Sequence, residues 1–232
     1  MTTVYKKISL ACRAVIFDMD GVITDTMPDH YEAWRRVFLH RLDLKITQKD
    51  VYLREGETGP HGVRGILEEH NIPYTEELAN DLLKKKEAVF PEIVGLRYIP
   101  GSLSFLAFLQ KQGFSLALVT GTSRREVEAF LPAETRALFR TIVTGNDVRR
   151  GKPSPEPYQQ ALSSLSISAD DAVVIENAPS GIASAKAADI RCLALTTSLE
   201  SAYLDQADFI FSSIKEVREN TEFFNTGERY GH

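Results

Sequence analysis

Short, uninterrupted runs of apolar residues recur along the chain and predict the strands of a buried sheet. An alternation of apolar and polar residues would indicate strands with one wet face, whereas continuous runs are typical of parallel strands covered on both faces. The runs lie at 14–17, 115–120, 141–144, 172–176, 192–197 and 208–211. This pattern predicts a parallel sheet that is buried on both sides.

Helical patterns separate most of these strands, with clear examples at 102–112, 156–165 and 180–189. Strands that alternate with helices predict an α/β fold with an open sheet. Ligands of such folds bind at the carboxyl ends of the strands. The residues that directly follow each predicted strand are therefore the candidates for chemistry.

Residues 27–98 interrupt the alternation of strands and helices. They predict three helices, at 28–42, 61–70 and 75–94. Trp34 and Phe38 lie at helical spacing in the first of these helices and are expected to pack in a core. We interpret the block as a helical domain that is inserted into the chain as a lid. The segments 1–26 and 99–232 would then form the core domain.

The charge and composition of the chain exclude several classes of protein. The formal net charge of its 232 residues is −5, which argues against broad binding to polyanions such as nucleic acids. No apolar stretch is long enough to cross a bilayer, and Arg13 and Asp18 interrupt the N-terminal apolar run, so it does not resemble a signal peptide. Cys12 and Cys192 lie in apolar surroundings, which favours buried free thiols in a reducing compartment. We expect a cytoplasmic monomer without nucleic-acid or membrane partners.

Two carboxylates directly follow the first predicted strand. Asp18 and Asp20 are two residues apart, so their side chains point the same way in an extended segment. Burying them there is costly unless a cation or hydrogen bonds meet them, and Gly21 allows the sharp turn that follows. We interpret the pair as functional and facing one pocket. The alternative is a charged junction between a strand and a loop.

Three further segments offer groups that bind anions or metal ions. Residues 120–123 (Thr-Gly-Thr-Ser) supply hydroxyls and backbone N–H groups at a helix start, which indicates either an anion site or a simple helix cap. Lys152 stands among prolines, either as a positioned cation or as a surface lysine. Glu176 and Asn177 supply hard oxygen ligands of the kind that Mg²⁺ prefers, or else they cap the helix that follows.

These four segments, in this order, resemble the haloacid dehalogenase-like superfamily of phosphohydrolases. The stretches DMDGVITDT, HYEAW, GKPSPEPY and IENAPSG carry the resemblance, which covers essentially the whole chain. It is closest to the β-phosphoglucomutase-like subfamily, which includes phosphatases and pyrophosphatases. The resemblance implies a Rossmann-like core of three layers with a parallel sheet, and a helical cap domain inserted after the first motif.

The resemblance also implies a mechanism. Asp18 would attack phosphorus and form an aspartyl-phosphate, while Asp20 would protonate the leaving oxygen and then activate water. Thr120 and Lys152 would hold the phosphoryl oxygens. The Mg²⁺ ligands would be Asp18, Asp20 through its main-chain carbonyl, Asn177, and Glu176 directly or through water. Relatives that act as dehalogenases lack the second aspartate, so Asp20 favours phosphoryl transfer.

The cap is expected to decide the substrate. The residues expected to bind it are His30, Glu55, Lys86, Gly121 and Thr122. The mutases of the subfamily grip a second phosphate with a cap arginine, and this sequence places Gly59 at that position. We therefore predict hydrolysis of a small phosphorylated metabolite or of pyrophosphate. A sugar-phosphate mutase is the alternative, and a catalytically silent protein that keeps the fold is the third hypothesis.

One more departure from the family and one further likeness to it bear on the metal site. Asn177 stands where many members have aspartate, so the site holds one negative charge fewer. Glu55 resembles a cap acid of the pyrophosphatase-like members, where it would reach the metal ion or its water.

Overall fold

Six parallel strands form the central sheet of the protein, of which the computed structural model describes residues 7–57 and 59–227. The strands, in chain order, are β1 Ile8–Cys12, β2 Ala14–Phe17, β3 Ser115–Val119, β4 Thr141–Val143, β5 Ala172–Glu176, β6 Arg191–Leu195, β7 Phe209–Phe211 and β8 Thr221–Asn225. The order across the sheet is β4-β3-β2-β5-β6-β7. All six predicted strands are present, with ends that differ from the prediction by at most two residues.

Ten α-helices accompany the strands in the described part of the chain. They are α1 Met27–Leu42, α2 Gln48–Tyr52, α3 Gly59–Glu69, α4 Glu76–Ile93, α5 Ser102–Lys111, α6 Arg124–Phe130, α7 Ala133–Arg136, α8 Glu156–Leu165, α9 Pro179–Ala187 and α10 Ile214–Asn220. Helices α8 and α9 cover one face of the sheet, while α5 and α10 cover the other. The predicted α/β fold with three layers and a parallel sheet is therefore confirmed.

The burial of the central strand explains why its sequence is continuously apolar. Every residue of β2 has no exposed surface, and successive side chains point to opposite faces of the sheet. Ile16 packs in the apolar cluster on one face, and Phe17 packs in the cluster on the other. A polar residue at any of these positions would be buried, so the strand tolerates none.

Helices α1 to α4, called the cap helices below, lie between β2 and α5 in the chain. Trp34 and Phe38 are buried among them, as predicted. Helix α2 was not predicted; it is a short helix whose start is held by a capping box between Thr47 and Asp50. The division into a core domain and a cap domain at residues 26/27 and 98/99 stays a prediction, and its outermost segments, 1–6 and 228–232, lie outside the described residues.

A second, two-stranded sheet was also not predicted. Strands β1 and β8 pair in parallel, with Ile8 aligned with Thr221. More than 200 residues separate the two strands in the chain. Only every second residue of β1 is buried, so its apolar pattern is too short to stand out. Cys12 and Cys192 are buried and free, as predicted. In the described part of the chain no helix is both long enough and apolar enough to cross a membrane.

Candidate active site

The predicted functional residues meet at one edge of the central sheet. Asp18 directly follows β2, Thr120 follows β3, and Asn177 follows β5. These strands are neighbours and parallel, so their carboxyl ends lie side by side. The backbone N–H of Asp18 donates to the carbonyl of Ile175 at 3.0 Å, which ties the two strand ends together. The predicted location of the site at the carboxyl ends of the strands therefore agrees with the structure.

Lys152 lies at the centre of a buried network of charges. Its ammonium donates to Asp18 Oδ1 at 2.6 Å, to Glu176 Oε1 at 2.7 Å and to the carbonyl of Val119 at 3.1 Å. The side chain is only 1% exposed. Burial alone would lower the pKa of Lys152, but the charges of Asp18 and Glu176 outweigh it and raise the pKa above its usual value. Lys152 is therefore a positioned cation and not a surface lysine.

Glu176 is saturated with hydrogen bonds from the protein. Oε1 accepts from Lys152 and, at 2.8 Å, from the Tyr158 hydroxyl. Oε2 accepts from the N–H groups of Asn177 and Ala178, at 2.9 and 3.2 Å. A carboxylate has about four acceptor positions, and here four donors occupy them. Glu176 was predicted to bind the metal ion directly or through water, and the geometry favours it as the anchor of Lys152 over direct binding.

Two buried oxygens at the same edge have no hydrogen-bond partner among the described residues: Asp18 Oδ2 and Asn177 Oδ1. Leaving a buried acceptor unpaired costs about 1–3 kcal/mol, and more for a charged one. Burial raises the pKa of Asp18 to about 8, and the charges of Glu176 and Asp20 raise it while that of Lys152 lowers it. A cation bound between the two free oxygens would satisfy both and would keep Asp18 ionised. The residues present therefore fit a divalent metal ion.

No group of three or more histidine, cysteine or acidic side chains that could hold a metal ion occurs in the described part of the chain. A metal site at this edge of the sheet would draw on other oxygens as well, such as those of amides, the main chain or water. The predicted ligand set does so, through Asn177 and the carbonyl of Asp20. The amide of Asn177 is oriented by its Nδ2, which donates to the Ser198 hydroxyl at 2.8 Å. This leaves the amide oxygen as the atom available to a metal ion.

Asp20 is held as a carboxylate by neighbours from both the core and the cap helices. Its Oδ1 accepts from the Thr26 hydroxyl and lies 3.4 Å from His30 Nε2. Its Oδ2 accepts from the Thr122 hydroxyl at 3.0 Å. Burial would raise the pKa of Asp20, but the nearby imidazole of His30 and the hydroxyls of Thr26 and Thr122 lower it to about 2. Asp20 is thus ionised and oriented in this arrangement.

The sequence left two roles open for residues 120–123, an anion site and a helix cap, and the structure assigns them to different residues. Ser123 is the N-cap of α6 and forms a capping box with Glu126. Thr120 is not the cap; its hydroxyl accepts the backbone N–H of Thr122 at 3.1 Å. The helix-cap interpretation therefore applies to Ser123, and Thr120 stays available for an anion.

The loop between α2 and α3 closes over the site. The Ser180 hydroxyl donates to the carbonyl of Glu55. A Cβ on Gly121 would lie 2.7 Å from the carbonyl oxygen of Gly56, so only glycine allows the loop to approach this closely. Burial raises the pKa of Glu55 well above its usual value, and the charges of Asp20 and Asp18 raise it further. Glu55 therefore lies within the electrostatic reach of both aspartates.

A cavity of about 290 Å³ opens between the cap helices and the core. Two of its lining residues, His30 and Thr122, contact the carboxylate of Asp20. It is lined by all five residues that were predicted to bind substrate: His30, Glu55, Lys86, Gly121 and Thr122. Arg54 and Glu126 also line it and were not predicted. The capping-box spacing of Ser123 and Glu126 was a visible signal, but it explains Glu126 as a helix cap and says nothing of a cavity. The cavity supplies the space for a small substrate.

Residues 15–195 match the haloacid dehalogenase-like hydrolase family, which is more than half of the chain. The chain belongs to this family. The family resemblance seen in the sequence is thus confirmed.

Two curated relatives of this haloacid dehalogenase-like hydrolase are phosphatases. The validoxylamine A 7'-phosphate phosphatase of Streptomyces hygroscopicus subsp. limoneus is 30% identical over 209 residues, which cover 89% of this chain and 96% of that protein. The phosphorylated carbohydrates phosphatase of Thermotoga maritima is 33% identical over 189 residues and covers 76% and 82%. The predicted enzyme class, a phosphatase of this family, is confirmed.

Among solved structures, a putative β-phosphoglucomutase from Bacteroides vulgatus superimposes with a TM-score of 0.79 and 32% sequence identity. The match covers 91% of this haloacid dehalogenase-like hydrolase and 88% of that protein. The likeness extends over the core and the cap helices alike, so it bears out the predicted Rossmann-like architecture.

Proposed function

We propose that this chain is a Mg²⁺-dependent phosphatase that hydrolyses a small sugar or sugar-alcohol phosphate through an aspartyl-phosphate on Asp18. One observation carries the proposal: Asp18 presents a buried oxygen to which no described residue donates a hydrogen bond, while Lys152 holds its other oxygen at 2.6 Å. A nucleophilic carboxylate needs this combination of a free oxygen and a fixed orientation. The names of the two phosphatase relatives support a phosphorylated carbohydrate or a related compound as substrate.

Charge repulsion is the barrier that the site must overcome. A carboxylate and a phosphate dianion repel each other by about 2 kcal/mol at 4 Å in water, and by several times more in a pocket. The buried ammonium of Lys152 opposes this repulsion directly beside Asp18. It also stabilises the negative charge on the phosphoryl oxygens in the transition state.

A Mg²⁺ ion would be held by Asp18, by Asn177 and by the main-chain carbonyl of Asp20. When bound, Mg²⁺ supplies Lewis-acid stabilisation of the phosphoryl oxygens. Glu176 would act on the site through Lys152, which it anchors at 2.7 Å. Glu55 would face the same region from the cap loop, where the charges of both aspartates already act on it.

Asp20 would move the protons of the reaction. Its ionised form accepts a proton from the water that resolves the aspartyl-phosphate. Its donation of a proton to the leaving oxygen requires a rise in its pKa from about 2, and an approaching phosphate dianion raises the pKa of a neighbouring carboxylate. His30 and Thr122 hold the carboxylate in place through both steps.

The loop at residues 120–122 would bind the phosphoryl oxygens, with the hydroxyl of Thr120 and the backbone of Gly121. Thr122 would do so while its own hydroxyl orients Asp20. The loop between α2 and α3 contacts Gly121 through Gly56 and Ser180 through Glu55. These contacts would exclude bulk water from the aspartates.

A sugar-phosphate mutase is the second candidate, favoured by the likeness to the putative β-phosphoglucomutase. A mutase must bind a second phosphate, and the arginine in the cavity lining, Arg54, already has other partners. It donates to the carbonyls of Asp50 and Gly65 at 3.1 and 2.9 Å and pairs with Glu69 at 2.9 Å. The geometry therefore favours hydrolysis.

A substrate panel tests the proposal. We expect phosphate release from p-nitrophenyl phosphate and from hexose and hexitol monophosphates in the presence of Mg²⁺. Removing the metal ion with EDTA should lower kcat by at least about 100-fold, because several kcal/mol of charge stabilisation are lost. Adding Mg²⁺ back should restore the rate.

The same panel separates the competing functions. Conversion of β-glucose 1-phosphate to the 6-phosphate without phosphate release would establish the mutase instead. Release from pyrophosphate alone would leave the phosphatase chemistry in place and move the substrate to a diphosphate. No turnover of any compound would refute the proposed function.

The charge at position 177 should tune metal affinity. We expect Asn177→Asp to lower the Mg²⁺ concentration at half-maximal activity roughly ten-fold, since it restores a negative charge next to the cation. The Ser198 hydroxyl can donate to the new carboxylate, so the fold should tolerate it. A thermal-shift titration with Mg²⁺ gives a readout independent of activity. Asn80→Asp, on the exposed face of α4, is the matched control, and an equal shift in both variants would contradict the proposed ligand.

A further inference from the structure

Two side chains face each other across the cavity without forming a hydrogen bond. Lys86 belongs to cap helix α4 and Glu126 to core helix α6. Lys86 Nζ and Glu126 Oε1 are 3.7 Å apart, which is too far for a direct hydrogen bond. Glu126 Oε1 is buried and has no partner among the described residues. A buried carboxylate oxygen without a donor requires a partner, and a ligand in the cavity that Glu126 lines can supply one.

Each of the two side chains is held in place by its own surroundings. The other oxygen of Glu126 accepts the backbone N–H and the hydroxyl of Ser123, at 3.3 and 2.8 Å. The ammonium of Lys86 lies 4.0 Å from the centroid of the Phe90 ring, and its side chain is only 9% exposed. Both side chains are therefore held in fixed positions in the lining of the cavity. The pair offers three N–H donors and one oxygen acceptor a few ångströms apart.

The charges around the pair limit what the cavity can bind. Glu126 offsets the charge of Lys86, and three further carboxylates line the cavity, from Glu55, Glu57 and Glu87. Among the described residues, Arg54 is the other long cation in the lining, and its guanidinium is bound to Glu69 and to two carbonyls. A second phosphate on the substrate would meet no uncompensated positive charge here.

We propose that Lys86 and Glu126 are a specificity-determining pair that binds neighbouring hydroxyl groups of an uncharged polyol leaving group. One hydroxyl donates to Glu126 Oε1, and the adjacent hydroxyl accepts from the Lys86 ammonium. Glu126 has a second effect, because its charge offsets that of Lys86 and so discriminates against substrates with a second phosphate. The inference rests on the proposed phosphatase function and adds to it the part of the substrate that is recognised.

The pair also links binding to closure. Lys86 comes from the cap helices and Glu126 from the core, so a polyol that contacts both bridges the two sides of the cavity. A substrate without hydroxyls makes no such bridge, so these contacts do not stabilise the transition state of its hydrolysis.

Glu126→Gln tests the inference, because the amide keeps the size of the side chain and one oxygen for the cap of α6. The measurement is kcat/KM for three substrates: a hexitol monophosphate, p-nitrophenyl phosphate and a hexose 1,6-bisphosphate. We expect kcat/KM for the hexitol monophosphate, divided by kcat/KM for p-nitrophenyl phosphate, to fall about ten-fold or more. The reason is that a hydrogen bond to a charged acceptor is lost. We expect kcat/KM for the bisphosphate, divided by kcat/KM for the hexitol monophosphate, to rise at least about ten-fold, because no charge then neutralises Lys86.

A second variant and a control make the result specific. Lys86→Gln should also lower the preference for the hexitol monophosphate over p-nitrophenyl phosphate. It should not raise the preference for the bisphosphate, because it removes the positive charge that would attract a second phosphate. Glu128→Gln, an exposed position of the same helix, should change neither ratio. If Glu126→Gln and Lys86→Gln leave both ratios at the wild-type values, the inference is wrong while the phosphatase function stands. If wild-type protein hydrolyses none of the three substrates, the proposed function itself fails.

Discussion

Replacing Asp18 with asparagine is expected to abolish turnover without destabilising the protein. The amide is a poor nucleophile, so kcat should fall by roughly 10³-fold or more, as it does when other covalent catalysts lose their nucleophile. The stability should not fall, because burial beside Glu176 raises the pKa of Asp18 to about 8, so placing this acid in the site costs free energy near neutral pH. The neutral amide avoids this cost and leaves Lys152 paired with Glu176.

The measurement combines phosphate release with a melting curve. The midpoint of unfolding for Asp18→Asn should equal or exceed that of the wild type. Acid-quenched wild-type protein should carry a phosphoryl group after mixing with substrate, and the variant should not. Asp205→Asn, at an exposed position, is the control for the chemistry of the substitution. Appreciable turnover or a phosphorylated variant would rule out Asp18 as the nucleophile.

Replacing Lys152 with methionine is expected to have the opposite effect on stability. It leaves the carboxylates of Asp18 and Glu176 buried without their cation, and each side chain is no more than 2% exposed. Breaking a buried pair by removing one partner costs about 3–5 kcal/mol. For a chain of this size the midpoint of thermal unfolding should fall by roughly 10 °C. Turnover should fall by about 10²- to 10³-fold as well, because a stabilising charge is lost from the transition state.

Lys186→Met provides the matched control for burial. Lys186 pairs with Asp208 at 2.7 Å, a distance similar to those in the Lys152 network, but its side chain is 37% exposed. Its loss should cost about 0–1 kcal/mol. Adding Asp18→Asn to Lys152→Met should recover part of the lost stability, since one of the two unpaired carboxylates is gone. If the two lysine variants are equally stable, the buried network does not contribute as proposed.

The sequence was most informative where one local pattern controls the outcome. Continuous apolar runs identified all six strands of the central sheet, because a strand covered on both faces tolerates no polar residue along its length. The short strands β1 and β8 escaped notice because only alternate residues of β1 are buried and its partner lies at the other end of the chain. Helix α2 escaped because five residues are too few to show a helical period.

The roles of single polar residues could not be read from their position in the sequence. Ser123 and Thr120 are both hydroxyls at a helix start, and only the structure shows that Ser123 is the cap. Glu176 has the side-chain chemistry of a metal ligand, yet four protein donors surround it. Two of them, Lys152 and Tyr158, lie more than 15 residues away in sequence. Such a network depends on the packing of α8 and on the approach of Lys152, and both are long-range.

By itself, the sequence determined the α/β architecture, the helical insertion, the family and the aspartate pair that follows the first central strand. These features depend on local periodicity and on short motifs, which are physical properties of contiguous residues. Only the tertiary structure decided that Lys152 lies between Asp18 and Glu176. It also decided that one oxygen each of Asp18, Asn177 and Glu126 finds no hydrogen-bond donor in the described part of the chain. It also placed Lys86 opposite Glu126 across the cavity. Hydrogen bonding and desolvation act between atoms that the fold brings together from distant parts of the chain, so they exist only once it has folded.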